Sequence, residues 1–149
     1  MQPTNRGEQR LIIFDFDGTL ADTFSWCIDI FDEVADKFRF KRLDKNNLNA
    51  LRSLDARQLI SQHNIPFWKL PSIGRAMHAL MEQDSSSIAL FPGIESAIHA
   101  LADKGAVLAI VSSNSQANVE RILGPENAKR FAYVECGVSL FGKRSRLRR

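Results

Sequence analysis

A short apolar run, Leu11-Ile12-Ile13-Phe14, stops on two carboxylates, Asp15 and Asp17, and meets a glycine at Gly18. Four consecutive apolar residues with a polar break suit a strand buried on both faces, as in a parallel sheet. Such sheets take their ligands beyond the carboxyl ends of the strands. Side chains alternate along a strand, so Asp15 and Asp17 share a direction until the chain turns. Gly18 allows a tight turn and a close approach of backbone to a ligand. Two acids so placed suit phosphoryl transfer through a covalent intermediate: one attacks phosphorus, the other protonates the leaving oxygen and later deprotonates water. A bound Mg²⁺ would relieve the repulsion between an anionic nucleophile and an anionic substrate. Taken alone, an Asp-x-Asp reads first as a solvated turn or a helix cap. An EF-hand loop would need more acidic positions and a preceding helix. A nucleotide-sugar transferase metal site would leave Gly-Thr-Leu-Ala-Asp-Thr unexplained.

Beyond this segment the pattern turns helical. Phe24, Cys27, Ile28, Phe31, Val34, Ala35 and Phe38 recur at helical spacing, with acids mostly opposite. Lys41 to Asn49 reads as a loop, and two more helical stretches, near Asp55–His63 and Ile73–Gln83, are punctuated by Pro66 and Pro71. Asp84-Ser85-Ser86-Ser87 reads as a connector. Pro92 can open a helix whose stripe is Ile94, Ala97, Ile98, Leu101 and Ala102, stopped by Gly105. Ala106–Val111 is a second buried-strand run. Val119, Ile122 and Leu123 form the inner face of a helix ended by Gly124-Pro125, and Phe131–Cys136 is a third strand. Strand, helices, strand, helix, strand is the alternation of a parallel α/β sheet, with an all-helical insertion after the first strand.

The 149 residues are 44% hydrophobic and 25% charged, which excludes a disordered chain and supports a real core. No apolar stretch reaches the length of a membrane span, and no hydrophobic segment opens the chain, so the cytoplasm is the expected location and no membrane partner is expected. The formal charge of +3 is unevenly placed. Lys143, Arg144, Arg146, Arg148 and Arg149 crowd the last seven positions, leaving fifteen cations against seventeen anions, net −2, over residues 1–142. A basic tail from Lys143 to Arg149 is a weak signal for nucleic acid, whose usual mark is a basic patch spread over a folded face. Cys27 and Cys136 match no zinc or redox spacing and read as buried free thiols. His63, His78 and His99 stand singly in helical patterns and read as packing residues.

Asp15-Phe16-Asp17-Gly18-Thr19-Leu20-Ala21-Asp22-Thr23, following a hydrophobic strand, resembles the first motif of the haloacid dehalogenase superfamily. The resemblance implies a Rossmann-like α/β core with a parallel sheet, residues 1–23 and 91–149, and an inserted all-helical cap, residues 24–90. It implies that Asp15 is the nucleophile that becomes an aspartyl phosphate and Asp17 the general acid/base. It also implies that the Asp15 carboxylate and the Asp17 backbone carbonyl ligate Mg²⁺, with Gly18 and Thr19 at the phosphate. Dehalogenases proper lack the second Asp, so Asp17 points to the phosphatase branch. Ala109 to Ser115 places hydroxyls at a strand end before a helix, a ready anion site. It resembles the second motif, with Ser113 aligned to the phosphoryl-holding hydroxyl, Asn114 beside it, and Ser112 one register away. Lys143 resembles the third-motif cation that neutralises nucleophile and phosphate. Phe91-Pro92-Gly93-Ile94 is similar to the junction that follows a helical cap.

A fourth motif, Gly-Asp-x-x-x-Asp, is expected beyond the lysine, but the last acid is Glu135. The expectation is therefore a core incomplete at its C-terminus, with a metal ligand missing and Leu11–Phe14 left as an apolar sheet edge through which copies could associate. The resulting expectation is a Mg²⁺-dependent phosphatase of the phosphoglycolate-phosphatase-like group, acting on a small phosphate monoester. The alternative is a shortened, catalytically weak relative that binds phosphate or a partner protein. A third reading makes the tail a nucleic-acid tether.

Overall fold

The computed structural model describes residues 10–44, 51, 54 and 56–137. In chain order the main elements are β1 (Leu11–Phe14), α1 (Thr23–Phe38), α2 (Ala56–Gln62), α3 (Leu70–Asp84), α4 (Ile94–Asp103), β2 (Val107–Val111), α5 (Gln116–Ala128) and β3 (Phe131–Glu135). Short 3₁₀ turns at Phe67–Lys69 and Ser85–Ser87 flank α3. The chain divides into two compact units, one made of residues up to Ala21 and from Leu90 onward, the other of Asp22–Ala89.

In the first unit the three strands form a parallel sheet in the order β1-β2-β3. Leu11 pairs with Val107 and Phe14 with Ile110, while a bulge between Leu108 and Ala109 interrupts the match to β3. The middle strand is the one that is buried: Leu108 and Ile110 have no exposed surface. Ile98 of α4 and Val119 and Leu123 of α5 are likewise buried, whereas Ala97, expected in the stripe of α4, is exposed. Each fully buried aliphatic side chain of this kind stabilises the unit by roughly 1.5–3 kcal/mol relative to leaving it in water. Asn127 ties the helices together: its Nδ2 donates to Glu95 Oε1 at 3.0 Å, and its Oδ1 lies 3.1 Å from His99 Nε2. His99 thus serves packing, as expected.

The expected burial of the first strand on both faces is corrected. β1 lies at the edge of the described sheet, and Leu11 and Ile13 are 57% and 44% exposed. The helix after β2 also runs past its expected stop. Gly124 breaks it with φ of +73°, but the helix resumes at Pro125 and reaches Ala128. Proline is tolerated there because the first residue of a helical turn has no need of its N–H. Cys27 and Cys136, neither in a disulfide, are half-buried rather than buried.

Among the described residues, the regular elements of the second unit are all helices. Asp22 caps α1 by accepting the Ser25 N–H at 3.3 Å, and Arg39, with φ of +54°, turns the chain out at the other end. Trp26, Ile30, Phe31, Val34 and Ala35 make the buried face of α1, and Trp26 Nε1 donates to Asp84 Oδ2 at the end of α3. His63 is buried: its ring meets Phe31 edge-on and its Nδ1 donates to the Lys41 carbonyl at 2.9 Å, while the Lys41 N–H donates back to the His63 carbonyl. α3 begins at Leu70, before its expected start, with Pro71 accommodated in the first turn. The expected loop 41–49 is described only to Asp44; its remainder lies outside the described residues.

Ile110→Ala opens a cavity in the centre of the sheet and is expected to cost roughly 3 kcal/mol. Tyr133→Ala removes a side chain that is 64% exposed and should stay within about 0.5 kcal/mol. Urea unfolding followed by circular dichroism measures both, and equal losses would contradict this account of the core.

Candidate active site

At the end of β1 the chain alternates acid, aromatic, acid. Phe16 has no exposed surface, and its burial holds Asp15 and Asp17 on the outward side of the strand end. Its carbonyl accepts the N–H groups of Thr19, Leu20 and Ala21 at 3.2, 2.9 and 3.1 Å, which curls the following turn back onto it. Gly18 sits at φ of +73° and donates its N–H to the Ala21 carbonyl at 2.9 Å. A Cβ there would meet nothing within 4 Å, so what demands glycine is the left-handed backbone and not the space. Leu20 and Ala21, both fully buried, pin the far side of the turn and leave Gly18 and Thr19 exposed.

The two carboxylates have different surroundings. Asp15 is exposed, and its Oδ1 accepts the Phe16 N–H at 2.8 Å. Asp17 is half-buried and takes two side-chain donors from the end of β2: Ser112 Oγ at 3.3 Å on Oδ2 and Asn114 Nδ2 at 2.9 Å on Oδ1. Both donors are buried, Ser112 completely. Their own positions are secured in turn. Ser112 Oγ accepts the Asn114 N–H at 3.0 Å, and the Ser112 N–H donates to the Glu135 carbonyl at 2.9 Å, extending the β2–β3 ladder. The Asn114 carbonyl accepts the Gly137 N–H at 2.8 Å, and its Oδ1 accepts the Ser115 N–H at 2.8 Å and Asn118 Nδ2 at 3.1 Å. Ser115 caps α5 by accepting the Asn118 N–H at 3.2 Å.

One acid is thus exposed and the other is gripped by donors from the end of β2, within one turn of chain. The structure brings Asp17 together with Asn114, which was expected at the phosphate, and the hydroxyl that meets Asp17 belongs to Ser112. Ser113, to which the phosphoryl-holding role was aligned, is half-buried between them. Lys143 lies outside the described residues. Asn118 was not anticipated, although one polar residue entering the apolar face of α5 beside Val119 is a signal the pattern contains. Cys136 follows β3, and burial, with the negative charges of Glu120, Asp17 and Glu135, pushes its thiol up to about 11. It stays protonated at neutral pH and is no nucleophile here.

For Mg²⁺ the donor chemistry is suitable. The Asp15 carboxylate and the Asp17 backbone carbonyl are hard oxygens at one strand end, and this ion commonly takes one or two carboxylates and fills its octahedron with water and substrate phosphate. Among the described residues no group of three or more His, Cys, Asp or Glu gathers at one point. No helix among them is long and apolar enough to cross a membrane.

Comparison with known proteins gives a consistent result. Residues 12–144 match the family model described as haloacid dehalogenase-like hydrolase. The chain is 28% identical over 137 residues to a phosphoglycolate phosphatase of Synechococcus elongatus, covering 91% of this chain and 65% of that protein. Among solved structures, a putative phosphoglycolate phosphatase from Lactobacillus plantarum superposes with a TM-score of 0.69 at 23% identity, over 86% of this chain and 61% of that one. CbbY from Rhodobacter sphaeroides, in complex with phosphate, gives 0.62 at 24% identity, over 87% and 64%. A predicted phosphatase from Clostridium acetobutylicum gives 0.65 at 20% identity, over 91% and 63%. These structures share the fold, and the chain spans less than two thirds of their length. From the matched family model and the parallel α/β sheet, the chain belongs to the haloacid dehalogenase-like hydrolase family.

Proposed function

We propose that this chain carries the catalytic end of a Mg²⁺-dependent phosphatase that hydrolyses a small phosphate monoester of the phosphoglycolate type. The observation that supports this most is the pairing of an exposed Asp15 with an Asp17 held by Ser112 and Asn114. In the proposed reaction an Asp15 carboxylate oxygen attacks phosphorus and the ester oxygen leaves with a proton from Asp17, giving an aspartyl phosphate. Asp17 then takes a proton from water as that water attacks phosphorus, releasing phosphate and restoring Asp15. Asp17 must face first the leaving oxygen and then the water, and two fixed donors on its carboxylate keep it aimed without an ordering cost at each step. Gly18 and Thr19, with Ser113 and Asn114, are proposed to bind the phosphoryl oxygens, and Lys143 to offset their charge. Mg²⁺, held by Asp15 and the Asp17 carbonyl, would supply charge neutralisation at the nucleophile and phosphate. The helical segment 24–90 is proposed as the specificity-bearing cap.

Mg²⁺-dependent hydrolysis of p-nitrophenyl phosphate by the chain is the direct test. Asp15→Asn should lower kcat by about 10³-fold or more, since it removes the nucleophile, and chelation of the metal should abolish turnover. Absence of hydrolysis together with saturable binding of orthovanadate would favour the alternative, a phosphate-binding relative without turnover.

The two serines are separable by kinetics. Ser112→Ala frees Asp17 and is expected to lower kcat by about tenfold with little change in KM, while Ser113→Ala should raise KM by a similar factor. The reverse pattern would exchange their roles.

The edge of β1 carries neither proline nor charge, and we propose that copies of this chain associate through it. Ile13→Lys should lower the weight-average mass in sedimentation equilibrium. A monomeric chain before the change would remove the proposal.

A further inference from the structure

We infer that Asn118 is a positioning residue for Asp17, acting through the side-chain amide of Asn114. This inference rests on the phosphatase reading for its kinetic consequence but not for its structural one. Asn118 lies in the first turn of α5 with no exposed surface. Its Nδ2 donates to Asn114 Oδ1 at 3.1 Å, and the Ser115 N–H donates to the same oxygen at 2.8 Å. The opposite end of that amide, Nδ2, donates to Asp17 Oδ1 at 2.9 Å.

A carboxamide has one donating and one accepting end, so its orientation is a choice between two states. With Oδ1 toward α5, Asn114 satisfies two donors there and gives an N–H to a carboxylate. Turned over, it would set N–H groups against two N–H donors and an oxygen against the carboxylate of Asp17. Asn114 is 2% exposed, so water cannot repair either mismatch. The backbone donor of Ser115 cannot be removed by substitution, but the donor of Asn118 can. Asn118 is therefore the side chain that converts the cap of α5 into a fixed direction for the acid/base carboxylate. The chain already spends a buried amide on this, where an apolar residue would continue the face formed by Val119 and Leu123.

The test uses the full chain, labelled with ¹⁵N and ¹³C, as wild type, Asn118→Ala and Asn118→Asp. The aspartate is nearly isosteric and, when ionised, places a second acceptor against Asn114 Oδ1. The expected result in whichever variant keeps native backbone dispersion is an Asn114 Nδ2 proton pair that exchanges with solvent about tenfold faster, together with a shifted Asp17 carboxyl ¹³C resonance. In turnover, kcat should fall about tenfold with KM within about twofold, and the Asn114→Ala/Asn118→Ala double variant should be no slower than Asn114→Ala alone. Unchanged Asn114 and Asp17 resonances, or additive losses in the double variant, would overturn the inference. If wild type hydrolyses no monoester, the phosphatase reading falls, and the resonances still decide whether Asn118 orients Asp17.

Discussion

Everything at the carboxyl end of the sheet depends on the register of β1 against β2. With Phe14 opposite Ile110, the residues just beyond the two strands come level, and Asp17 meets Ser112 and Asn114. Side chains alternate along a strand, so a slip of one residue would present Phe16 where an acid belongs and bury an acid in its place. The complete burial of Phe16 and Ile110 opposes such a slip. Hydrophobic packing in the sheet is therefore what sets the distance between polar groups beyond it. The bond from Asn114 to Asp17 joins residues 97 apart in sequence, a contact that only the paired strands could bring about.

The network behind Asp17 is costly to build. Ser112, Asn114 and Asn118 are at most 2% exposed, and each polar side chain withdrawn from water costs free energy unless it finds a partner. Here the donors and acceptors are arranged in sequence: helix cap to amide, amide to carboxylate, backbone to hydroxyl, hydroxyl to carboxylate. Asp15, just beyond β1, is exposed and accepts its neighbour's N–H on one oxygen. One turn of chain thus carries an exposed carboxylate and a half-buried one that accepts two donors from the end of β2.

How far this could be read in advance varies with the kind of signal. Continuous apolar runs located all three strands to within a residue, and the 3.6-residue stripes located α1 and the face of α4, because burial in these elements is periodic. The exposed row of β1 was not legible from the run itself: Leu-Ile-Ile-Phe looks the same whether or not a neighbour covers it. Asp15, Asp17 and Gly18 were visible as a cluster, since acids and a glycine beside an apolar strand have few structural uses. The bond of Ser112 to Asp17 was not, because it turns on which of two adjacent hydroxyls points to the acid where the strand ends. Asn118 escaped for a related reason, as its role depends on a partner four residues away and on a third residue on another strand. The pause at Gly124-Pro125 was legible as a break, but its sequel through Ala128 depends on packing against α4 through Asn127.

The chain leaves the sheet region and comes back at adjoining points. Ala21 bridges to Leu90 in antiparallel fashion, and the Asp22 N–H donates to the Ala89 carbonyl at 2.9 Å. Whatever lies between those residues begins and ends at one stitched doorway, so its length places no tension on the strands. The closure entropy of so long an excursion grows only slowly with each added residue. Selection could thus lengthen, trim or replace the helical segment while the acids at the end of β1 stayed where they are.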